Sequence, residues 1–157
     1  MTTGDYGPQR WRSPAPTPAV AGNLGRRFFA RVIDGVIVNI ASVFAVVSLD
    51  GLSNILVTGL FSGLLTFIYF VAFEVAVGWT PGKKLLGLEV RGPHGRPHPD
   101  LKQSAIRNSF TLLAMIPYVG WLLAFIAYVL IAVSIKNSPW RQGTHDDLAG
   151  GTQVVRT

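Results

Sequence analysis

The chain has 157 residues, of which 49% are hydrophobic and 14% are charged, and its formal net charge is +6. Soluble domains carry about 25% charged residues, so this composition excludes an ordinary soluble domain and indicates a polytopic membrane protein. The absence of cysteine excludes disulfides, thiol chemistry and cysteine-ligated zinc.

The first segment, residues 1–24, is rich in Pro, Gly, Ser and Thr. Such a composition buries too little apolar surface to build a core, so we predict a disordered cytoplasmic tail. Residues 25–157 are predicted to form one membrane domain, which includes a cytoplasmic loop at 78–108 and a C-terminal cap at 137–157.

Apolar residues concentrate in three blocks, at about 28–49, 55–77 and 109–135. Each is long enough for a hydrocarbon core of about 30 Å, which takes about 20 helical residues. The third block contains Pro117 and Gly120, so it is either one helix kinked at Pro117 or two limbs joined by a turn. We favour the turn, which predicts an all-α bundle of four membrane-embedded helices, with the third block split at Pro117–Gly120, and a minor β element.

The basic residues indicate an orientation, because Lys and Arg stay on the cytoplasmic side of a membrane. Of the 14, five precede or begin the first block, six lie in the loop 78–108 and three lie at or beyond residue 136. We therefore expect the N-terminus, the loop and the C-terminal cap to face the cytoplasm. The same charge predicts contact with anionic lipid headgroups, through Lys83 and Lys84, and not with nucleic acid.

Asp34 lies one turn inside the apolar run of the first helix. At about 100° per residue, it shares a helix face with Arg27 and Arg31, and Glu74 lies at a similar depth near the end of the second helix. A charged side chain at the centre of a membrane costs roughly 2.5–3.5 kcal/mol. We therefore expect Asp34 to face the second helix instead of lipid and to pair with Arg27, Arg31 or Arg107.

Three features of the polar segments predict local structure. "GWTPGKK", at 78–84, lacks the spacing and the Ser or Thr of a phosphate loop, so it is interpreted as a helix exit. Asp100 and Gln103 have the spacing of a capping box at a helix start. The β-prone runs "LEVR", at 88–91, and "TQVV", at 152–155, can pair only if both lie on the same side of the membrane.

The sequence carries no pattern typical of an enzyme or of a metalloprotein. His94 and His98 lie in a turn rich in Gly and Pro, where no helix sets the spacing of metal ligands. Ser, His and Asp occur without the context of a nucleophile and its base. We therefore expect no catalytic residues, no metal and no cofactor.

Four motifs occur in order along the chain: "RRFFARVID", "YFVAFEVAVGWTPGKKLLGLEVRGPHGRP", "AIRNSF" and "THDDLAGGTQVV". Together they resemble the RDD family of bacterial membrane proteins, which is named for an arginine and two aspartates, and the resemblance covers about 23–156. It places the arginine at Arg27 (or Arg26) and the aspartates at Asp34 and Asp146. The chain departs from the family's pattern in an extra Arg31 and in "AGGT", where "AGT" is usual.

The resemblance implies a location in the bacterial cytoplasmic (inner) membrane, and it leaves two functions open. Some members of the family are linked to sodium–proton exchange, which implies a small ion- or proton-coupled transport protein that uses Asp34 and Glu74. Others look like accessory modules, which implies a non-catalytic assembly subunit. In that case the charge cluster holds the helices together; its members are Arg27, Arg31, Asp34, Glu74, Arg107 and Asp146. Because so few helices enclose little space, we expect a homo-oligomer or a larger membrane partner.

Overall fold

The computed structural model describes residues 20–48 and 55–157. The helices are α1 (Leu24–Ser48), α2 (Ile55–Val77), α3 (Pro81–Leu85), α4 (Leu101–Asn108), α5 (Gly120–Asn137) and α6 (Thr144–Leu148), and the strands are β1 (Leu88–Arg91) and β2 (Gln153–Arg156). Two 3₁₀ segments span Pro93–Gly95 and Ser109–Met115. Most of the predicted tail, residues 1–19, lies outside the described residues.

Two of the described helices, α1 and α5, are long and apolar enough to cross a membrane. The apolar part of α2 for which side chains are described, Ser62–Val77, is shorter. This part of α2 packs closely on the 3₁₀ segment Ser109–Met115, because a Cβ at Gly63 would lie 2.6 Å from the side chain of Met115. A glycine is therefore what allows these two segments to touch.

The third apolar block reverses direction, so the single kinked helix is the wrong interpretation. α4 and the 3₁₀ segment Ser109–Met115 form the first limb, and α5 returns from Gly120. The turn between them needs a left-handed Tyr118 (φ 64°), and a Cβ at Gly120 would lie 2.5 Å from the carbonyl oxygen of Leu113. The first limb is not one continuous α-helix, and the prediction of four membrane-embedded helices is not confirmed.

The start of α4 matches the sequence prediction. The Asp100 carboxylate accepts a hydrogen bond from the backbone N–H of Gln103 at 2.8 Å, and the Gln103 side chain accepts one from the backbone N–H of Asp100 at 3.0 Å. This capping box satisfies two N–H groups that the first helical turn leaves unpaired.

A two-stranded antiparallel sheet closes one end of the bundle. β1 pairs with β2 with Val90 opposite Val154, which confirms the predicted pairing of the two β-prone runs. Ala21 forms a bridge to Val155 on the other edge of β2, so the last residues of the predicted tail add to the sheet. The start of α1, the loop that follows α2 and the C-terminal segment therefore meet at this end, which we call the sheet end.

Candidate functional site

Three carboxylates are buried near the sheet end. Asp34 of α1, Glu74 of α2 and Asp146 of α6 each have 0% exposed surface. The sequence places Asp34 inward by helical spacing, since the buried residues of α1 recur every three or four positions; they are Arg27, Ala30, Asp34, Val38, Ser42 and Val46. Each carboxylate has a different set of partners.

Asp34 accepts three hydrogen bonds, all from uncharged donors. The Tyr69 hydroxyl donates to Oδ1 at 2.8 Å, and the Gly82 backbone N–H donates to the same oxygen at 2.8 Å. The Thr80 hydroxyl donates to Oδ2 at 2.5 Å. Thr80 and Gly82 reach Asp34 because α3, which begins at Pro81, lies directly across α1.

The expected ion pair between Asp34 and an arginine is not formed among the described residues. The close approach of α3 fills the space beside the carboxylate. Arg27 turns instead toward the sheet, where it donates to the carbonyl oxygens of Gly22 and Val154, each at 3.1 Å. The sequence prediction was therefore correct about the burial of Asp34 and wrong about its partners.

Glu74 forms a buried ion pair with Lys83 and accepts hydrogen bonds from Ser104 at 3.0 Å and from Asn108 Nδ2 at 2.9 Å. Arg107 Nε lies 3.8 Å from Glu74 Oε2. These contacts neutralise the Glu74 charge and give both of its oxygens hydrogen-bond donors.

The prediction that Lys83 contacts lipid headgroups is wrong, because its side chain is 4% exposed and its ammonium is bound to Glu74. α3 folds back toward α2, which turns Lys83 into the bundle. Burial lowers the pKa of the Lys83 amine, while the carboxylate of Glu74 works against that change. Lys84 is exposed, and its ammonium lies 3.9 Å from the centre of the Trp79 ring.

Asp146 is held by two arginines and by the turn that precedes β2. Arg107 Nη1 lies 3.3 Å from Oδ1, and Arg27 Nη1 lies 3.6 Å from Oδ2. Gly143 N–H and the Thr152 hydroxyl each donate to the carboxylate at 3.2 Å. Burial opposes ionisation, but the cationic neighbours, Arg107 foremost, hold the pKa of Asp146 below its ordinary value.

Arg31 is a cation that forms no ion pair with any carboxylate in the part of the chain that the structure describes. Its Nη2 donates to Asn108 Oδ1 at 2.9 Å. Its guanidinium lies over the Phe70 ring, 3.9 Å from the ring centre. The extra arginine of this sequence therefore belongs to the buried cluster without being neutralised in it.

His145 is a largely buried neighbour of the cluster, with 11% of its side chain exposed, and it was not among the predicted members. The imidazole lies 3.6 Å from Asp146 Oδ1, and its Nδ1 has no hydrogen-bond partner among the described residues. Burial lowers the pKa of His145 to about 3, so the ring is neutral at physiological pH.

Several uncharged polar residues of the site were also missed. Three of them carried one usable signal, because together with the predicted Arg107 they recur every three or four residues along the first limb of the third block; they are Ser104, Asn108 and Thr111. Tyr69, Thr80 and Thr152 carried no such signal, because their partners lie on other elements.

The six predicted cluster residues thus form one connected group of five and one separate carboxylate. Glu74 and Asp146 share Arg107 between them, with Arg27 completing the group and Arg31 joined to it through Asn108. Asp34 stands apart with its neutral donors. Within residues 20–48 and 55–157, no group of three or more His, Cys, Asp or Glu could hold a metal ion.

A comparison with protein families places residues 21–150 in one match, to the model described as the RDD family. Searches of curated proteins and of solved structures found no match.

Proposed function

The chain belongs to the RDD family, and we propose that it is a small ion- or proton-coupled transport protein in which Asp34 is the exchanging group. The family match, together with two helices that are long and apolar enough to cross a bilayer, identifies a membrane protein. The proposal of transport, and not of an enzymatic reaction, follows from the surroundings of its buried carboxylates.

The observation that carries the proposal is the set of neutral donors around Asp34. Glu74 and Asp146 each face cations within 4 Å, which stabilise their ionised forms. Among the residues that the structure describes, Asp34 accepts hydrogen bonds from hydroxyl and amide groups only. A carboxylate that is held by neutral donors has no counter-charge beside it, so a proton or a small cation can bind to it without first displacing an ion pair.

The hydroxyl groups allow Asp34 to exist in both states. A hydroxyl can donate one hydrogen bond and accept others, and its hydrogen rotates to suit. When Asp34 is ionised, Tyr69 and Thr80 donate to it. When Asp34 is protonated at Oδ2, it can donate to Thr80 while Oδ1 still accepts from Gly82. Alternatively, the same oxygens offer hard ligands to a small cation.

Glu74 lies at a depth similar to that of Asp34, which suggested a part in transport, but its contacts indicate a structural role. Its ion pair with Lys83 and its hydrogen bonds from Ser104 and Asn108 join α2, α3 and α4. We therefore assign Glu74 to the stability of the bundle and Asp34 to exchange.

The test is proton flux in liposomes that contain the purified protein and an internal pH-sensitive dye, with an imposed sodium gradient. Asp34→Asn should reduce the flux by at least about tenfold, the factor that corresponds to about 1.4 kcal/mol, and should leave the folded yield unchanged. Folding is expected to survive because an asparagine Oδ1 still accepts from Tyr69 and Gly82, and its amide can donate to Thr80.

Two matched variants complete the design. Asp147→Asn makes the same change at an exposed position on α6 and should leave the flux unchanged. Glu74→Gln strands the buried ammonium of Lys83 and should lower the folded yield. A folded wild-type protein with no flux under sodium, potassium and lithium gradients would exclude the proposal.

A second candidate, an accessory subunit, is favoured by one separate observation. Asn39 lies on the exposed face of α1, in a shallow depression that Gly35, Val36, Ile40 and Val43 also line. An amide that faces hydrocarbon lacks hydrogen-bond partners, and Gly35, one helical turn away, allows a second helix to approach. This face suits a second copy of the chain or a larger membrane partner.

Gentle solubilisation of native membranes distinguishes this second role. An accessory subunit should co-purify with a partner or with a second copy and carry no flux alone. Asn39→Leu should then release the bound chain, while Ile40→Leu on the same face should not.

A further inference from the structure

A cavity of about 410 Å³ opens between α1 and α5 near the sheet end. We call it the α1–α5 cavity. Apolar side chains of the two helices form its walls, including Leu24, Phe28, Val32, Phe125 and Val129. Its floor is cationic and is lined by Arg27, Arg31, Lys83, Arg107 and His145. The volume lies within the range of small-molecule sites, roughly 300–1,000 Å³.

The arginines that line the floor carry buried N–H groups without acceptors. Arg27 Nη1, Arg31 Nη1 and both Nε and Nη1 of Arg107 have no hydrogen-bond partner among the described residues. Arg107 is 2% exposed, and its ion-pair contacts with Asp146 and Glu74, at 3.3 and 3.8 Å, do not have hydrogen-bond geometry. Buried polar groups are nearly always paired, so the concentration of these donors at one cavity indicates an acceptor from outside the chain.

The charge balance of the floor favours an anion. The four cations Arg27, Arg31, Lys83 and Arg107 face two carboxylates, Glu74 and Asp146. Arg31 supplies the clearest excess charge, because its contacts are with the Asn108 amide and the Phe70 ring. Planar guanidinium groups with free donors match the oxygen geometry of phosphate.

We propose that the α1–α5 cavity binds one anionic phospholipid, with its phosphate against Arg31, Arg27 and Arg107 and an acyl chain along the apolar walls. The lipid is favoured over free phosphate because the walls belong to two helices that are long and apolar enough to span the bilayer. Phe28 and Phe125 are exposed on those helices, so the cavity is continuous with the surface that hydrocarbon covers. This site is separate from Asp34, which does not line the cavity.

The experiment is native mass spectrometry of delipidated, detergent-purified protein. The protein is titrated with dioleoyl phosphatidylglycerol, dioleoyl phosphatidylcholine or inorganic phosphate. One phosphatidylglycerol should bind at least about tenfold more tightly than phosphatidylcholine, because the zwitterion leaves the excess positive charge uncompensated. Arg31→Gln should weaken phosphatidylglycerol binding by about tenfold, the loss of one charge-assisted hydrogen bond.

Three control variants make the test decisive. Arg96→Gln removes an exposed arginine from the turn after β1 and should leave lipid binding within about twofold of wild type. Val129→Trp fills the apolar wall without a change in charge, so it should weaken lipid binding even if Arg31→Gln fails to fold. Asp34→Asn should bind phosphatidylglycerol normally, which separates this site from the transport proposal.

Two outcomes would overturn the proposal. Equal affinity for the two lipids, with no effect of Arg31→Gln, would mean that the floor does not recognise the phosphate. Binding of inorganic phosphate as tight as that of phosphatidylglycerol, and unchanged in Val129→Trp, would assign the floor to a free anion instead of a lipid.

Discussion

At the scale of single residues, Gly82 shows how closely α3 approaches α1. A Cβ at this position would overlap the carbonyl oxygen of Ala30 and lie 2.9 Å from Asp34 Oδ1. The same residue donates its backbone N–H to Asp34. A side chain here must therefore separate the two helices and weaken the hydrogen bonding of the carboxylate.

We predict that Gly82→Ala lowers the free energy of unfolding by about 1–3 kcal/mol, the cost of an overpacked contact. Thermal unfolding of the detergent-purified protein measures the change. Gly35→Ala is the matched control, because nothing lies within 4 Å of its Cβ position and alanine favours a helix over glycine. An unchanged melting temperature for Gly82→Ala would contradict the close contact of α3 with α1.

The buried imidazole of His145 predicts a loss of stability in mild acid. Burial lowers its pKa from 6.5 to about 3, so between these values the unfolded chain binds a proton that the folded chain does not. The free energy of unfolding must then fall as the pH falls below 6.5. At pH 5 this contribution reaches about 2 kcal/mol.

His145→Asn should remove most of the stability difference between pH 7.5 and pH 5, measured by thermal unfolding. His94→Asn is the control, since His94 is exposed in the turn after β1, and it should keep the wild-type difference. Asp146 does not interfere with this measurement. Because its pKa is lowered from the ordinary value of 3.8, its protonation changes the stability only at a pH below about 3.8, outside the range from 5 to 7.5. The same stability difference between pH 7.5 and pH 5 in wild type and in His145→Asn would contradict the burial of a neutral ring.

At the scale of elements, α1 shows how one helix face serves two separate groups. Arg27 and Asp34 are both buried on it, but Arg27 lies beside α6 and β2 while Asp34 lies beside α2 and α3. The seven positions between them correspond to about two helical turns, or roughly 10 Å along the axis. The two charges therefore meet different elements although they share a face.

A double-mutant cycle tests this separation. Arg27→Gln and Asp146→Asn should show a coupling of about 0.5–3 kcal/mol in the free energy of unfolding, because the two side chains are in contact. Arg27→Gln and Asp34→Asn should add to within about 0.5 kcal/mol. Coupling of Arg27 to Asp34, with none to Asp146, would instead support the ion pair between Arg27 and Asp34 that the sequence predicted.

At the scale of the whole molecule, three distant segments meet at the sheet end. Residues 21–22, β1 and β2 are joined by backbone hydrogen bonds, so all three must lie on one side of the membrane. The turn that contains Tyr118 begins α5, whose 18 residues rise by about 27 Å, close to the thickness of a hydrocarbon core. We therefore expect this turn to approach the opposite side.

Single-cysteine labelling in intact cells checks this arrangement, and the chain has no native cysteine to remove. Thr157→Cys and Arg96→Cys should both resist an impermeant maleimide, since the distribution of basic residues predicts that the sheet end faces the cytoplasm. Tyr118→Cys should react. Reaction of Thr157→Cys with protection of Arg96→Cys would contradict the β1–β2 pairing, and reaction of both with protection of Tyr118→Cys would invert the orientation.

Local patterns in the sequence determined the class of protein and several of its elements. The length of the apolar blocks, the Pro117–Gly120 turn, the Asp100 capping box and the pairing of two β-prone runs follow from spacing and turn chemistry within short stretches. Helical spacing also showed that Asp34 is buried. Each of these features depends on neighbours in the chain, which a single sequence displays directly.

The partners of the buried charges were decided by the tertiary structure alone. Asp34 accepts from Tyr69 and Gly82, which are 35 and 48 residues away, and Lys83 is buried because α3 folds back onto the bundle. Helical periodicity shows which face of α1 points inward, but it does not show which element packs there or where a long side chain turns. Arg27 and Lys83 are both long cationic side chains, so the sequence does not distinguish their partners. The packing of the sheet places Arg27 beside Asp146, and the packing of α3 places Lys83 beside Glu74.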